Sequence, residues 1–280
     1  MSGLLRAELL KLRKRWMPYV LFILMLAGAA FLIWVLGYLS WKNDDVEYRP
    51  DALRTFAYPY SVPALLDTGQ FWASAIFVAI LTTSTLATEH NWGTVRPSIA
   101  GGVSRARYLL TKLLTLTLVS TVALLLVFGF GLLMSLWATS TSDAPVPHPS
   151  FTAGEFALML ARTALCIVPY GLLAFALTVA TRSTAVGIAG TMVYMILGAI
   201  IVAVLGTFGE LMQNARFLFL DHSITALIAE NRFGDLSYNV MWFRDLDSDS
   251  LPGVWTAAAI VVGQSAFFLA ASFTIFLRRD

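Results

Sequence analysis

The sequence predicts an all-α, polytopic membrane protein with six transmembrane helices, and three properties of its composition lead to that fold class. Hydrophobic residues make up 58% of the 280 residues, charged residues make up 13%, and the mean hydropathy is +0.73. Soluble domains are nearer one-quarter charged. The chain also holds 8 Trp, 9 Tyr and 19 Phe, and so many aromatic residues exclude a disordered chain.

The same composition excludes several classes of function. A net charge of +2 gives no reason to expect a nucleic-acid partner. Cys166 is the one cysteine, so an intrachain disulfide and a Cys–Cys metal site are both excluded. His90, His148 and His222 lie far apart and lack the spacing of a zinc motif. We therefore expect no metal and no cofactor on this chain.

The predicted spans follow from length and hydropathy, because a transmembrane helix needs about 20 mainly apolar residues. Six stretches qualify, at about 16–39, 71–88, 108–137, 156–181, 184–208 and 254–277. The third is longer than the membrane requires, so it must tilt or protrude. The whole chain, residues 1–280, is predicted to be one transmembrane domain.

The distribution of Lys and Arg predicts that both termini are cytoplasmic. The segments on the side of the termini hold 12 basic and 3 acidic residues, whereas the opposite loops hold 6 basic and 14 acidic residues. Short cytoplasmic segments are enriched in Lys and Arg. The plasma membrane is the expected location.

An amphipathic helix is predicted before the first span. Leu5, Leu9 and Leu12 recur at helical spacing among basic residues. A helix with such a face lies on the inner leaflet. The alternative is a plain run of positive charge that sets topology.

The segment between the second and third spans is the main candidate site. Gly93 and the pair at 101–102 are helix breakers, and a helix of about two turns fits between them. Such a helix could dock a soluble partner, or it could be an ordinary connection anchored by Trp92. The candidate coupling residues within segment 89–104 are Glu89, Trp92, Thr94, Val95, Arg96, Ile99 and Ser104.

The outer loop at about 209–253 is predicted to contain short helices. Ile224, Leu227 and Ile228 repeat at helical spacing, and Asp221 or Ser223 could cap the helix N-terminus. The acidic run at 245–249 could bind calcium, but it lacks the glycine and glutamate of an EF-hand loop. Its position before the last span favours a role in complementing the helix dipole.

Few ionisable groups fall inside the spans. Arg162 could reach the interface, pair with Glu155 seven residues earlier, or contact substrate. Pro169 would weaken the fourth span. Gly190 and Gly198 give the fifth span small faces for close helix packing, within the chain or between subunits. Arg162, Pro169, Gly190 and Gly198 are therefore candidates for a substrate path or an interface.

These features together resemble the ABC-2 type permeases of ATP-binding-cassette transporters. Residues 4–13 are similar to the family's N-terminal elbow helix, and residues 89–112 to its coupling helix. The last span, ending at 276–280, also matches the family pattern, whereas Pro97 departs from it.

The resemblance implies an architecture and partners. It implies an elbow helix, a cytoplasmic coupling helix and short extracellular helices before the last span. It also implies a second permease copy, more probable as a homodimer than as a heterodimer, and cytoplasmic ABC ATPase subunits that carry ATP and Mg²⁺. This chain has no G-x-x-x-x-G-K-[ST] phosphate loop, so catalysis would belong to a separate subunit.

Three other functions remain to be weighed against an ATP-driven exporter of lipids, glycolipids, hydrophobic drugs or antimicrobial peptides. The chain could be a membrane anchor that binds an ATPase and moves no cargo. A secondary carrier normally needs a buried acidic relay, and the predicted spans contain no deep acid. An intramembrane enzyme would need paired catalytic groups within the spans, which are missing there.

Overall fold

The computed structural model describes residues 2–43, 56–68, 74–93, 95–142, 152–205, 216, 219–231 and 251–278. Those residues form helices and no strand. In chain order the helices are α1 (Ser2–Arg13), α2 (Trp16–Asn43), α3 (Ser61–Thr68), α4 (Ala75–Asn91), α5 (Val95–Ala100), α6 (Arg105–Ser140), α7 (Ala153–Thr181), α8 (Thr184–Leu205), α9 (Leu220–Ala229) and α10 (Val254–Arg278).

The all-α membrane fold is confirmed. The helices α2, α6, α7, α8 and α10 are each long and apolar enough to cross a membrane. The second predicted span corresponds to α4, which covers 17 residues. Its predicted first residues, 71–73, lie outside the described part of the chain. The count of six therefore stays a prediction, while a multi-pass protein is established.

The helices form two packs. In one pack α7 is central and contacts α4, α8 and α10. In the other, α2 pairs with α6 along much of its length. Met25 of α2 belongs to the same hydrophobic core as Phe77, Leu81 and Phe175, and this shared core joins the two packs.

Short contacts define the two ends of the bundle. At the α1 end, Glu8 of α1 meets Lys112 near the start of α6, and Arg105 donates to the carbonyl of Leu277 at 3.5 Å. At the α3 end, Ser61 and Ser135 share a hydrogen bond of 2.6 Å. The predicted cytoplasmic segments within the described residues therefore all lie at the α1 end.

The α3 end holds structure that the sequence did not predict. The sequence interpretation left about 40–70 as a loop, but α2 continues to Asn43 and α3 packs against α6. A Cβ on Gly131 would lie 2.6 Å from a terminal methyl group of Leu65, so the glycine gives this leucine of α3 room to pack against α6. The buried Phe56 packs directly against Gly37, and a Cβ added to that glycine would lie 2.6 Å from the phenylalanine. Propensity alone does not reveal contacts of this kind.

The outer-loop helix was predicted correctly, but its cap was not. α9 covers Leu220–Ala229 and is buried against α10, α8 and α7. Phe219 is the residue before α9, and it provides no side-chain cap. Asp221 and Ser223 lie inside the helix and are buried, because α9 inserts into the bundle rather than lying at a solvated surface. The acidic run at 245–249 lies outside the described residues.

Candidate functional site

The short helix between the second and third spans exists, and two glycines delimit it. α5 covers Val95–Ala100. Gly93 has φ +68° and Gly102 has φ +88°. Other residues adopt such left-handed conformations only at a cost. These glycines let the chain leave α4, form α5 and turn back into α6 within 13 residues.

The surface around α5 is largely exposed. Trp92 is 70% exposed, and the guanidinium carbon of Arg15 lies 5.6 Å from the centre of its ring. Pro97 and Ala100 are also exposed, whereas Val95 is half-buried against the core. Thr94 and the side chains of Arg96 and Ile99 lie outside the described parts of the structure. An exposed tryptophan that lies three residues before a short helix is suited to contact with a protein.

The helices on either side of α5 contribute to a largely buried charge cluster, which we define as Glu8, Lys11, Glu89, Tyr108 and Lys112. Lys112 binds Glu8, and its Nζ lies 2.5 Å from Glu89 Oε1. Tyr108 donates from its hydroxyl to Glu89 Oε2 at 2.6 Å. The more exposed Lys11 contacts Glu8 at 2.8 Å and Glu89 at 3.4 Å. The cluster thus joins α1, α4 and α6.

The charges in the cluster balance. Two carboxylates face two ammonium groups, and Lys112 and Glu89 are 1% and 3% exposed. Burial tends to raise the pKa of Glu89, but Lys112, the Tyr108 hydroxyl and Lys11 together hold that pKa below its ordinary value. Charges this deep persist only when they are paired and hydrogen-bonded. The cluster therefore fixes the relative positions of its three helices.

The C-terminal end of α10 packs next to the charge cluster. The ring of Phe276 stacks on that of Tyr108, with centres 6.0 Å apart and planes 12° from parallel. His90, beside Glu89, meets the edge of Phe276 at 6.4 Å. The end of α10 consequently packs against the residues that precede and follow α5.

Two of the predicted coupling residues have structural roles here. Glu89 was expected on a docking surface, but its side chain is buried in the charge cluster. Ser104 caps the N-terminus of α6, where its hydroxyl accepts from the N–H of Arg107 at 3.4 Å. Trp92 remains at the exposed surface, together with the backbone of α5.

Arg162 has a partner other than the expected Glu155. Its Nη1 donates to the carbonyl of Glu230 at 2.8 Å and lies 3.5 Å from Oδ1 of Asn231. It thus caps the C-terminus of α9, where carbonyl groups lack helix partners and favour a cation. Glu155 instead forms a capping box with Thr152 at the start of α7. The interpretation of Arg162 as paired with Glu155 is wrong.

The two glycines of α8 have neighbours within the chain. A Cβ on Gly190 would lie 2.7 Å from Leu177 of α7, and one on Gly198 would lie 3.8 Å from Asp221 of α9. Both glycines therefore pack α8 against its own bundle. Pro169 is buried inside α7, which continues as one helix from Ala153 to Thr181.

The sequence contained a signal for the charge cluster that the interpretation did not use. Glu8 lies three residues after Leu5 and four residues before Leu12, so it shares the apolar face of α1. Tyr108 and Lys112 are likewise four residues apart on α6. An acid on the buried face of one helix needs a base on another, but pairing of residues 104 apart requires the tertiary fold.

No curated protein matches the sequence. One family model does match, that of the ABC-2 family transporter proteins, over residues 4–198. The match covers more than half of the 280 residues, and it includes α1, α5, the charge cluster and four of the long apolar helices. The chain belongs to the ABC-2 family of transporter proteins and is a membrane permease, and membership of this family implies ABC ATPase subunits as partners.

Proposed function

We propose that this permease exports an amphipathic or hydrophobic substrate, driven by ATP hydrolysis on a separate cytoplasmic ATPase. Lipids, glycolipids, hydrophobic drugs and antimicrobial peptides are the candidate substrates. ATP and Mg²⁺ are bound by the ATPase, and α5 with Trp92 is the surface on which that ATPase docks. The protein lies in the plasma membrane with both termini in the cytoplasm.

One observation supports this coupling route above all: an exposed short helix lies directly beside a buried charge cluster. α5 follows Glu89 by six residues and precedes Tyr108 by eight. Because the cluster holds α1, α4 and α6 together, a push on α5 moves these helices as one body. Without such a clamp, the two positive-φ glycines would let α5 shift alone.

The resulting motion would reach a substrate path at a dimer axis. In the family, the first, second and fifth spans line the central cavity, and they correspond to α2, α4 and α8. A shift of α4 at the α1 end would change the gap between these helices in the two subunits. A homodimer satisfies this arrangement with one gene product, and membrane lipids contact the remaining surface.

The docking proposal is tested by replacing a single exposed aromatic side chain. Trp92→Ala removes a ring that is 70% exposed, so little folding stability depends on it. We expect the variant to insert normally and to lose association with the ATPase, because aromatic anchors dominate protein interfaces. The measurement is co-purification of the ATPase and its stimulation in proteoliposomes.

The matched control is Trp255→Ala, because Trp255 is 88% exposed and lies at the opposite end of the bundle. Charge reversal on α5 by Arg96→Glu should likewise prevent assembly or uncouple hydrolysis from transport. Equal ATPase binding by wild type, Trp92→Ala and Arg96→Glu would refute docking at α5.

The second candidate function is a membrane anchor for an ATPase that moves no cargo. It shares the docking surface, so the same variants affect it equally. Substrate-dependent stimulation of ATP hydrolysis separates the two functions, since an anchor gives none. Transport of a fluorescent lipid or hydrophobic drug against its gradient would establish export.

A further inference from the structure

The ring of Phe276, near the end of α10, lies against both helices that flank α5. It stacks on Tyr108 at the start of α6, with ring centres 6.0 Å apart, and it meets His90 near the end of α4 at 6.4 Å. The Tyr108 ring is itself held in place, because its hydroxyl donates to Glu89 Oε2 at 2.6 Å. Phe276 is buried, and closely packed side chains transmit displacement. A movement of either flanking helix therefore reaches the end of α10.

A backbone contact joins the same end of α10 to the start of α6. Nη1 of Arg105 donates to the carbonyl of Leu277 at 3.5 Å. The last carbonyls of a helix lack partners within that helix and favour a cation. The end of α10 is thus held to the residues that follow α5 by a ring contact and by a backbone contact.

The opposite end of α10 packs against α9. Ala257 and Val261 are both fully buried, and they share a core with Leu220 and Ile224 of α9. α9 packs more extensively on α10 than on α7 or α8. The helix is unbroken between these contacts, and Val261 lies about 22 Å from Phe276 along its axis. One rigid element therefore connects the surroundings of α5 with α9.

The face of α10 that packs on α7 between these two ends carries small residues. Ser265 and Ser272 are buried there. The hydroxyl of Ser265 donates to the carbonyl of Val261 at 2.7 Å. The hydroxyl of Ser272 donates to the carbonyl of Phe268, also at 2.7 Å. Both hydroxyls are thus satisfied within α10 and do not bind α7, and such a packed surface permits a small sliding movement.

We infer that Phe276 is a positioning residue for transport, and that α10 carries the movement of α5 to α9. The inference rests on the proposed docking of an ATPase at α5, and it adds a route to the one through α4, α2 and α8. Closure of the ATPase displaces Tyr108 and His90, the ring of Phe276 follows them, and α10 slides along α7. The contact between α10 and α9 then loosens at the far end of the bundle.

The test compares two phenylalanines on the same helix. Phe276→Leu keeps an apolar side chain and removes the ring contacts with Tyr108 and His90. Phe273→Leu is the matched control, because Phe273 packs against the same core but makes no ring contact with any described residue. Phe276→Tyr keeps the ring and is the conservative variant.

The measurement uses the full-length protein in complex with its ATPase in lipid nanodiscs. Hydrogen exchange of the α5 and α9 amides is followed without nucleotide and after trapping with Mg²⁺, ATP and orthovanadate. Co-purification of the ATPase and its hydrolysis of ATP are recorded for each variant. Protection of α5 reports on docking, and the change at α9 reports on transmission.

In wild type and in Phe273→Leu, trapping should make the α9 amides exchange about fivefold faster, a change within the usual range for coupling between distant sites. In Phe276→Leu this change should fall below about twofold, while the ATPase still binds and hydrolyses ATP. Phe276→Tyr should retain most of the response. A role in stability alone would speed α9 exchange equally with and without nucleotide and would leave the ratio unchanged.

An α9 response in Phe276→Leu equal to that of wild type would overturn the inference. So would a wild-type α9 that does not respond to trapping while α5 becomes protected, and this comparison needs no variant to fold. If α5 in the wild-type complex gains no protection, docking at α5 is refuted, and the inference that rests on it is refuted too.

Discussion

Lys112 illustrates how a charged side chain can be almost completely buried near the end of an apolar helix. Its ammonium group is held by Glu8 and Glu89, and its Nζ also lies 5.6 Å from the centre of the Tyr108 ring. Removal of one partner from a buried pair leaves an uncompensated charge. The cluster is therefore sensitive to single substitutions in a way that exposed ion pairs are not.

Lys112→Met should destabilise the protein by about 3–5 kcal/mol, because two carboxylates lose their buried partner. Lys11→Met is the control: the Lys11 side chain is 46% exposed, and surface pairs contribute about 1 kcal/mol or less. The measurement is thermal unfolding in detergent. Similar losses for the two variants would mean that the cluster is solvated and carries no special constraint.

Asp221 gives the protein a pH-dependent contact at the other end of the bundle. Its side chain is 6% exposed, and among the described residues its Oδ1 has no hydrogen-bond partner. Burial raises the pKa of Asp221 from 3.8 to about 6. The folded state therefore favours the neutral carboxyl, so the docking of α9 is strongest below pH 4 and weakens as the pH rises towards about 6.

Asp221→Asn should stabilise α9 at pH 7.5 by roughly 2–3 kcal/mol, and this gain should vanish below pH 4. Hydrogen exchange of the α9 amides at several pH values measures the effect. Glu230→Gln changes an exposed carboxyl just after the same helix and should leave exchange unchanged. A pH-independent difference between wild type and Asp221→Asn would contradict a titrating Asp221.

At the scale of elements, the glycines that border α5 are required by the backbone conformation rather than by a lack of space for a side chain. A Cβ on Gly102 would meet no atom within 4 Å, but its φ is +88°. Gly102→Ala should therefore cost about 1 kcal/mol through conformation alone. It should also reduce the coupling between ATP hydrolysis and transport, because a change of backbone conformation at residue 102 would alter the direction in which the chain passes from α5 into α6.

Gly129→Ala is the control for that substitution. Gly129 is helical and equally open, so alanine should stabilise α6 by up to about 1 kcal/mol through helix propensity. Thermal unfolding and substrate-stimulated ATP hydrolysis are measured for both variants. If the two substitutions shift the unfolding temperature in the same direction, the left-handed backbone at Gly102 does not restrict the residue.

The elements show which features the sequence could reveal. Breaker glycines and leucine periodicity correctly predicted α5 and α1, because these signals are local. α3 was missed, since it is held by packing against α6, where Leu65 lies opposite Gly131, 66 residues away in the chain. The observed partner of Arg162 was not among the predicted alternatives for the same reason: the C-terminus of α9 is close to it only in the folded chain.

For the whole molecule, charge distribution and helix arrangement agree. The segments predicted to be cytoplasmic meet at the α1 end in the described residues, including the charge cluster and the Arg105–Leu277 contact. The excess of Lys and Arg there predicts the cytoplasm.

Labelling of a single cysteine tests that orientation. Ser248 precedes α10 in the acidic segment outside the described residues, and the buried Cys166 is first removed by Cys166→Ala. Ser248→Cys should react with an impermeant maleimide from outside the cell. A cysteine at Ser2 should react only after permeabilisation. The reverse pattern would invert the topology and place α5 beyond the reach of a cytoplasmic ATPase.

The last prediction concerns the surface that joins two permease copies. The apolar face of α8 remains uncovered in one chain: Val193, Leu197 and Ile200 are each about half exposed. Gly190 and Gly198 are used within the chain by α7 and α9, so they are poor sites for an interface test. In lipid, apolar exposure alone does not drive association, but the family arrangement places the fifth span at the dimer axis.

Cysteines at Val193 or Ile200, in a Cys166→Ala background, should therefore crosslink two copies under mild oxidation. Cysteines at Val262 and Phe267 on the exposed face of α10 are the controls and should remain monomeric. Crosslinks from α10 together with none from α8 would place the interface on the last span and refute the proposed dimer axis.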